Sequence, residues 1–77
     1  MSTHDFDAGT LGCGDGLAAQ FRDRIVQVGV GEVLRVRTAD PSAKGDLPSL
    51  ARLMGHAVQA VDAQHDGSVT ITIERRR

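Results

Sequence analysis

HAVQAVDAQHDGSVTITIE, residues 56–74, decides the architecture. Its second half, VTITIE, alternates without a break: Val69, Ile71 and Ile73 share one side and Thr70, Thr72 and Glu74 the other, as in a strand buried on one face. Its first half, residues 56–64, reads as another strand. Between them His65-Asp66-Gly67-Ser68 carries the residue types of a tight turn. The stretch therefore predicts an antiparallel hairpin with one apolar and one polar face.

Upstream of the hairpin the period changes twice. Leu47, Leu50, Leu53 and Met54 supply an apolar helical face, closed by Gly55 as a C-cap. Asp40-Pro41 and Asp46-Leu47-Pro48 each look like a helix start, because aspartate accepts free first-turn N–H groups and proline suits the first helical position. One irregular helical turn is expected near residues 41–45, with the main helix following to Met54. Residues 32–38 (EVLRVRT) alternate, Leu34 and Val36 against Arg35 and Arg37, and predict a strand. Leu17, Phe21, Ile25 and Val28 fall on one helical stripe, ended by Gly29 and Gly31. Residues 4–8 predict a short first strand, ended by Gly9.

The order is β-α-β-α-β-β. Two amphipathic helices cover one face of a four-stranded sheet and leave the other face polar, as Arg35, Arg37, Thr70 and Thr72 require. The expected fold is an α/β (α+β) two-layer sandwich with a mixed sheet. The chain has 77 residues, enough for one domain with a limited core. At 40% hydrophobic and 25% charged residues it has the composition of a folded protein. Aromatic residues make up 3% and the net charge is -1, which disfavours base stacking and a general attraction to nucleic acid. Arg75-Arg76-Arg77 reads as a solvated tail. Arg35 and Arg37 read as solvated strand arginines ahead of an anion or RNA patch.

The single cysteine, Cys13, lies in LGCGDG, residues 11–16, just ahead of the first helix. It has no partner for an internal disulfide. Free N–H groups and the helix dipole at such a position favour the thiolate, which is the nucleophile. Asp15 opposes activation where its carboxylate approaches the sulfur, and reads first as a helix cap. Local sequence alone leaves a reactive and an inert Cys13 both open. A P-loop is excluded, since the glycines lack its lysine and its serine or threonine. His4, His56 and His65 show no metal-ligand spacing with Cys13, so no metal site is expected. A reduced thiol, no apolar leader and no membrane-length segment lead to an expected cytoplasmic location without membrane contact.

Across its length the sequence resembles the TusA, or SirA-like, family of small sulfur carriers. The resemblance rests on Thr10-Leu11-Gly12-Cys13-Gly14-Asp15-Gly16 at the place of the family's Leu-Gly-x-x-Cys-Pro-x-Pro motif, and on Gly31-Glu32-Val33-Leu34. It rests further on Ala39-Asp40-Pro41 with Asp46-Leu47-Pro48, and on Gly55-His56. It implies one domain over residues 1–77, with an ordered core of about 4–75, similar to the C-terminal domain of translation initiation factor 3. It also implies a sulfurtransferase-type carrier rather than a turnover enzyme, with Cys13 as the sulfur-bearing nucleophile and no cofactor beyond a transient persulfide on Cys13. Gly12, Gly14, Asp15 and Gly16 would cradle that persulfide at the helix N-terminus. Asp40 and Asp46 match acidic positions near the partner surface, beside their plainer reading as helix caps and turn formers. The implied partners are a sulfur donor, a cysteine desulfurase or rhodanese-like protein, and a thiol acceptor protein. The implied pathways are tRNA thiolation, cofactor synthesis or sulfur metabolism. No direct nucleic acid is expected, and the chain is expected to be a monomer or weak dimer.

The sequence departs from the family pattern at one place. Gly14 and Gly16 stand where the motif has prolines, replacing residues that fix φ with residues that free it. The alternative function is an interaction or regulatory module that keeps the fold without the chemistry, or a weak RNA-binding domain.

Overall fold

The computed structural model describes residues 3–9 and 16–77. Its elements follow the expected order: β1 (Thr3–Gly9), α1 (Leu17–Ile25), β2 (Val33–Thr38), α2 (Ala43–Leu53), β3 (Ala57–Ala63) and β4 (Val69–Glu74). The four strands form one sheet in the order β1-β2-β4-β3. β1 runs parallel to β2, while β4 is antiparallel to both β2 and β3. The sheet is therefore mixed, with the predicted hairpin supplying one edge and β1 the other.

The alternation in β4 does what its sequence demands. Val69, Ile71 and Ile73 are buried, and they join Leu34 and Val36 of β2 and Phe6 and Ala8 of β1 in one apolar face. Both helices lie on that face. Leu17, Phe21 and Ile25 of α1 and Ala43, Leu47 and Ala51 of α2 are fully buried against it. Truncating a fully buried residue such as Phe21 to alanine costs about 3–5 kcal/mol, a large part of the stability of so small a domain. The opposite face carries exposed Arg35 and Arg37 with half-buried Thr70 and Thr72, and remains uncovered.

Four local expectations need correction. First, α1 does not reach the glycines. It ends at Ile25, with Val26 as the C-cap, and Val28 is buried in the following turn rather than in the helix. Second, no break separates residues 41–45 from the main helix. The chain opens with short-range bonds, Ala43 N–H to Asp40 O at 3.2 Å and Lys44 N–H to Pro41 O at 3.3 Å, then runs on as one helix through Pro48. Proline removes a backbone donor inside a helix. Beside it the Ser49 hydroxyl donates to the Gly45 carbonyl at 3.0 Å, adding a side-chain bond within this turn.

Third, Leu53 is not part of the apolar face: it is 85% exposed. At 3.6 residues per turn, about 100° per residue, it sits roughly 120° around the helix from Leu47, and Ala43 and Ala51 hold the core positions instead. Fourth, Arg75 is not part of a solvated tail. Its N–H donates to Glu32 O at 2.9 Å, and its carbonyl accepts from Gly31 N–H at 2.7 Å. Its guanidinium donates to the carbonyls of Val28 at 2.7 Å and Val26 at 3.1 Å. A helix C-terminus leaves such carbonyls without partners, and a cation there is doubly favourable.

Gly55 closes α2 as expected. Its φ of +89° lets His56 N–H reach Ala51 O at 2.9 Å and Gly55 N–H reach Arg52 O at 3.0 Å, the paired bonds of a Schellman motif. Among the described residues no helix is long and apolar enough to cross a membrane.

Candidate functional site

The candidate site begins where β1 hands the chain to α1. At the end of β1 the Gly9 carbonyl accepts from Ala39 N–H at 2.7 Å, which holds the end of β1 beside the turn that follows β2. The chain is next described at Gly16, the N-cap of α1, whose carbonyl accepts from Gln20 N–H at 3.0 Å. Gly12, Cys13, Gly14 and Asp15, four of the sequence-predicted site residues, lie outside the described residues.

Gly16 has φ +101° and ψ 6°, a left-handed conformation. Proline, with φ locked near about −65°, does not adopt it. The glycine at this motif position thus belongs to a helix start of a different backbone geometry from one opened by proline. Gly16 contributes no side-chain cap, and the first turn of α1 contains no acidic residue. The helix cap expected of Asp15 lies outside the described residues. The positive end of the α1 dipole carries no acidic side chain in that first turn. Leu17, fully buried directly after Gly16, anchors this end of the helix to the sheet.

Asp40 lies in the turn after β2, at the same end of the sheet. Its carboxylate accepts from Ser42 N–H at 3.1 Å and from the Ser42 hydroxyl at 2.8 Å, while its own N–H donates to the Thr38 hydroxyl at 3.1 Å. These are the contacts of a turn former preceding α2. Asp46 is different. It is exposed in the first part of α2; its N–H donates to the Ser42 carbonyl at 3.1 Å, while its carboxylate makes no hydrogen bond or ion pair with another described residue.

The sheet face opposite the helices, expected to be polar from Arg35, Arg37, Thr70 and Thr72, also gathers Asp5 and Asp66, which the sequence reading did not place there. It is a shallow, open groove of about 620 Å³ lined by Arg35, Arg37, Asp66, Thr70 and Thr72 among others. Both arginines are already paired. Arg35 Nε lies 2.7 Å from Asp5 Oδ1, across the register pair of β1 and β2. The Asp5 carboxyl is held below its ordinary range by this hydrogen bond, and the Arg35 pKa is raised by the same contact. Arg37 pairs with Asp66 and donates from Nε to the Ser68 hydroxyl at 3.2 Å. Asp66 also accepts from the Ser68 hydroxyl at 2.6 Å and Ser68 N–H at 3.0 Å, and its pKa falls to about 2. The opposite charges at facing register positions of β1 and β2 were the available sequence signal for the first pair.

The histidines are dispersed. His4 meets Glu32 at 3.0 Å, His65 lines the open groove, and His56 packs near the chain's end. Among the described residues no group of three or more histidine, cysteine or carboxylate side chains is placed to hold a metal ion.

A family model for the sulfurtransferase TusA matches residues 20–75, from the first helix through β4. This chain belongs to the TusA family. The match takes in α1 from Gln20 onward, all of α2 and the last three strands, and starts seven residues beyond Cys13. Among curated proteins no match was found. Membership in the TusA family carries a general sulfur-carrier, sulfurtransferase role. Members of the family interact with sulfur donor and sulfur acceptor proteins.

Proposed function

We propose that this protein relays sulfane sulfur through Cys13. The observation that carries the reading is family membership, joined to the position of the chain's single cysteine three residues ahead of the α1 N-cap. In the first step the Cys13 thiolate attacks the outer sulfur of a persulfide on a donor such as a cysteine desulfurase or rhodanese-like protein. A sulfur–sulfur bond forms on Cys13 and the donor's own sulfur–sulfur bond breaks, releasing a thiolate. In the second step the thiolate of an acceptor protein attacks the outer sulfur on Cys13 and restores the Cys13 thiolate. Neither step needs an external oxidant or reductant. The outer sulfur moves with its charge balanced at each exchange.

The free first-turn N–H groups of α1 supply a field that favours a sulfur anion near this end. Gly12, Gly14, Asp15 and Gly16 are the residues we assign to its immediate surroundings, and Asp40 and Asp46 to the adjoining partner surface. Asp46 suits that assignment better, because Asp40 is already used to form the turn before α2. The setting we propose is the cytoplasm, where thiols stay reduced. The pathway served is one of tRNA thiolation, cofactor synthesis or sulfur metabolism.

The test is transfer. Protein loaded with labelled sulfur and freed from its donor is mixed with a thiol acceptor protein. Label moving to the acceptor supports a relay, and label that stays on the chain contradicts it. A second reading, an interaction module that keeps the fold without the chemistry, is favoured by one observation: the family match begins at Gln20 and leaves the Cys13 segment out.

A further inference from the structure

Among the described residues three large apolar side chains stand in solvent: Val26, Val30 and Leu53, at 61%, 64% and 85% exposure. They are far apart in sequence, but the fold gathers them at one end of the molecule. The Arg75 guanidinium holds the Val26 and Val28 carbonyls, and the Arg75 carbonyl holds Gly31 N–H, next to Val30. Arg75 Nε donates to Arg77 O at 2.7 Å, and the Arg77 side chain lies against Gly55, two residues beyond Leu53. The C-terminal ends of α1 and α2 and the last residues of the chain thus meet in one surface.

That surface is cationic. Arg52, Arg76 and Arg77 are exposed. Arg52 and Arg77 have no carboxylate partner among the described residues, and Arg76 shares Glu74 at 3.3 Å. We propose that this end is a docking surface for an acidic, amphipathic protein segment, whose apolar residues cover Val26, Val30 and Leu53 while its carboxylates meet Arg52, Arg76 and Arg77. Charge complementarity selects the sign of the partner, and arginine is the cation best suited to bidentate carboxylate pairing. An anionic membrane would also attract these arginines. It is disfavoured because the chain has no Trp or Tyr and its two phenylalanines are buried, so no aromatic anchor faces the interface.

The position gives the surface a consequence. α1 runs from Gly16 at one end of the sheet to Val26 at the other, and nine helical residues span about 14 Å. The docking surface and the α1 N-terminal end thus lie at opposite ends of one helix. This inference does not depend on the chemistry of Cys13.

The experiment is an amide NMR titration of the full chain with three probes. These are a helical peptide of glutamate and leucine with leucines at i, i+3, i+4 and i+7, its lysine-for-glutamate counterpart, and vesicles of phosphatidylcholine with phosphatidylglycerol. The acidic peptide is expected to give saturable shifts confined to residues 26–31, 52–56 and 75–77. The affinity should weaken with added salt and fall about tenfold or more in Leu53→Asp and in Arg77→Glu. Cys13→Ser should bind as the parent does. Leu53 and Arg77 are exposed, and the unperturbed remainder of each spectrum verifies folding. If Leu53→Asp loses dispersion, Arg77→Glu decides alone. Absence of saturable shifts, equal binding of the lysine peptide, unchanged affinity in the variants, or preference for the vesicles over the acidic peptide would overturn the proposal.

Discussion

The Arg75 guanidinium lies 2.7 Å from the carbonyl oxygen of Val28, in the turn that follows the first helix, and 3.1 Å from that of Val26, the helix C-cap. One side chain at the end of β4 thereby ties the turn after α1 to the sheet. Hydrogen bonds from a charged donor contribute about 1.5–3 kcal/mol, and their loss leaves carbonyls without a partner. Arg75→Ala is therefore expected to lower stability by about 1.5–3 kcal/mol, or at least ~6 °C in Tm for a domain of this size. Thermal unfolding followed by circular dichroism measures it. Unchanged stability would show that water replaces the guanidinium without loss.

The helix start at Gly16 supports a second prediction. A non-glycine residue at φ +101° is strained, and its Cβ meets no neighbour within 4 Å among the described residues, so the backbone sets the cost. Gly16→Ala should cost about 1–2 kcal/mol. Gly16→Pro, which restores the residue type of the family motif, cannot keep this conformation and should shift the first-turn amide resonances of α1 far more than alanine does. Chemical denaturation and amide spectra of the two variants check both outcomes, and a stabilising Gly16→Pro would refute the left-handed start.

His56 sets the behaviour below neutral pH. It is buried, its Nδ1 accepts from Arg76 N–H at 3.1 Å, and burial followed by the charges of Arg75 and Arg77 lowers its pKa. The unfolded chain then binds more protons than the folded one as pH falls below about 6.5, so stability declines through that range and is regained as pH rises. Denaturation midpoints between pH 7.5 and pH 5 should show the decline in the parent and a smaller one in His56→Gln. Equal slopes in the two proteins would remove His56 as the cause.

Asp66 governs a lower range. The Ser68 hydroxyl and N–H, with Arg37, hold its carboxyl near about 2 against an ordinary 3.8. Its contribution to stability is present above the unfolded value and is lost as pH falls through the folded one. Direct NMR titration of the Asp66 carboxyl should give a value near 2, and Ser68→Ala should move it back toward 3.8. No movement in Ser68→Ala would transfer the effect to Arg37.

The sheet was legible because alternation leaves a strand little choice. In VTITIE a slip by one residue would put three threonine and glutamate side chains in the core. Leu53 was misread because an apolar residue near a stripe is not necessarily on it, and the alanines that do face the core, Ala43 and Ala51, give a weaker signal. Arg75 was misread for a different reason. Its acceptors are main-chain carbonyls of Val26 and Val28, which no side-chain pattern announces. At the candidate site Asp40 could be read as a turn former from Asp-Pro, whereas the left-handed backbone of Gly16 was not read, because a glycine is free to take either sign of φ. The roles of Gly12, Cys13, Gly14 and Asp15 rest on the family resemblance.

The central claim is that Cys13 carries sulfur, and the intact mass of the protein tests it most directly. After incubation with cysteine and a cysteine desulfurase, the parent should gain the mass of one sulfur atom. That gain should vanish on treatment with a thiol reductant and be absent in a folded Cys13→Ser variant. A parent that gains no sulfur from several desulfurase and rhodanese-like donors, or a Cys13→Ser variant that gains it equally, would contradict the account.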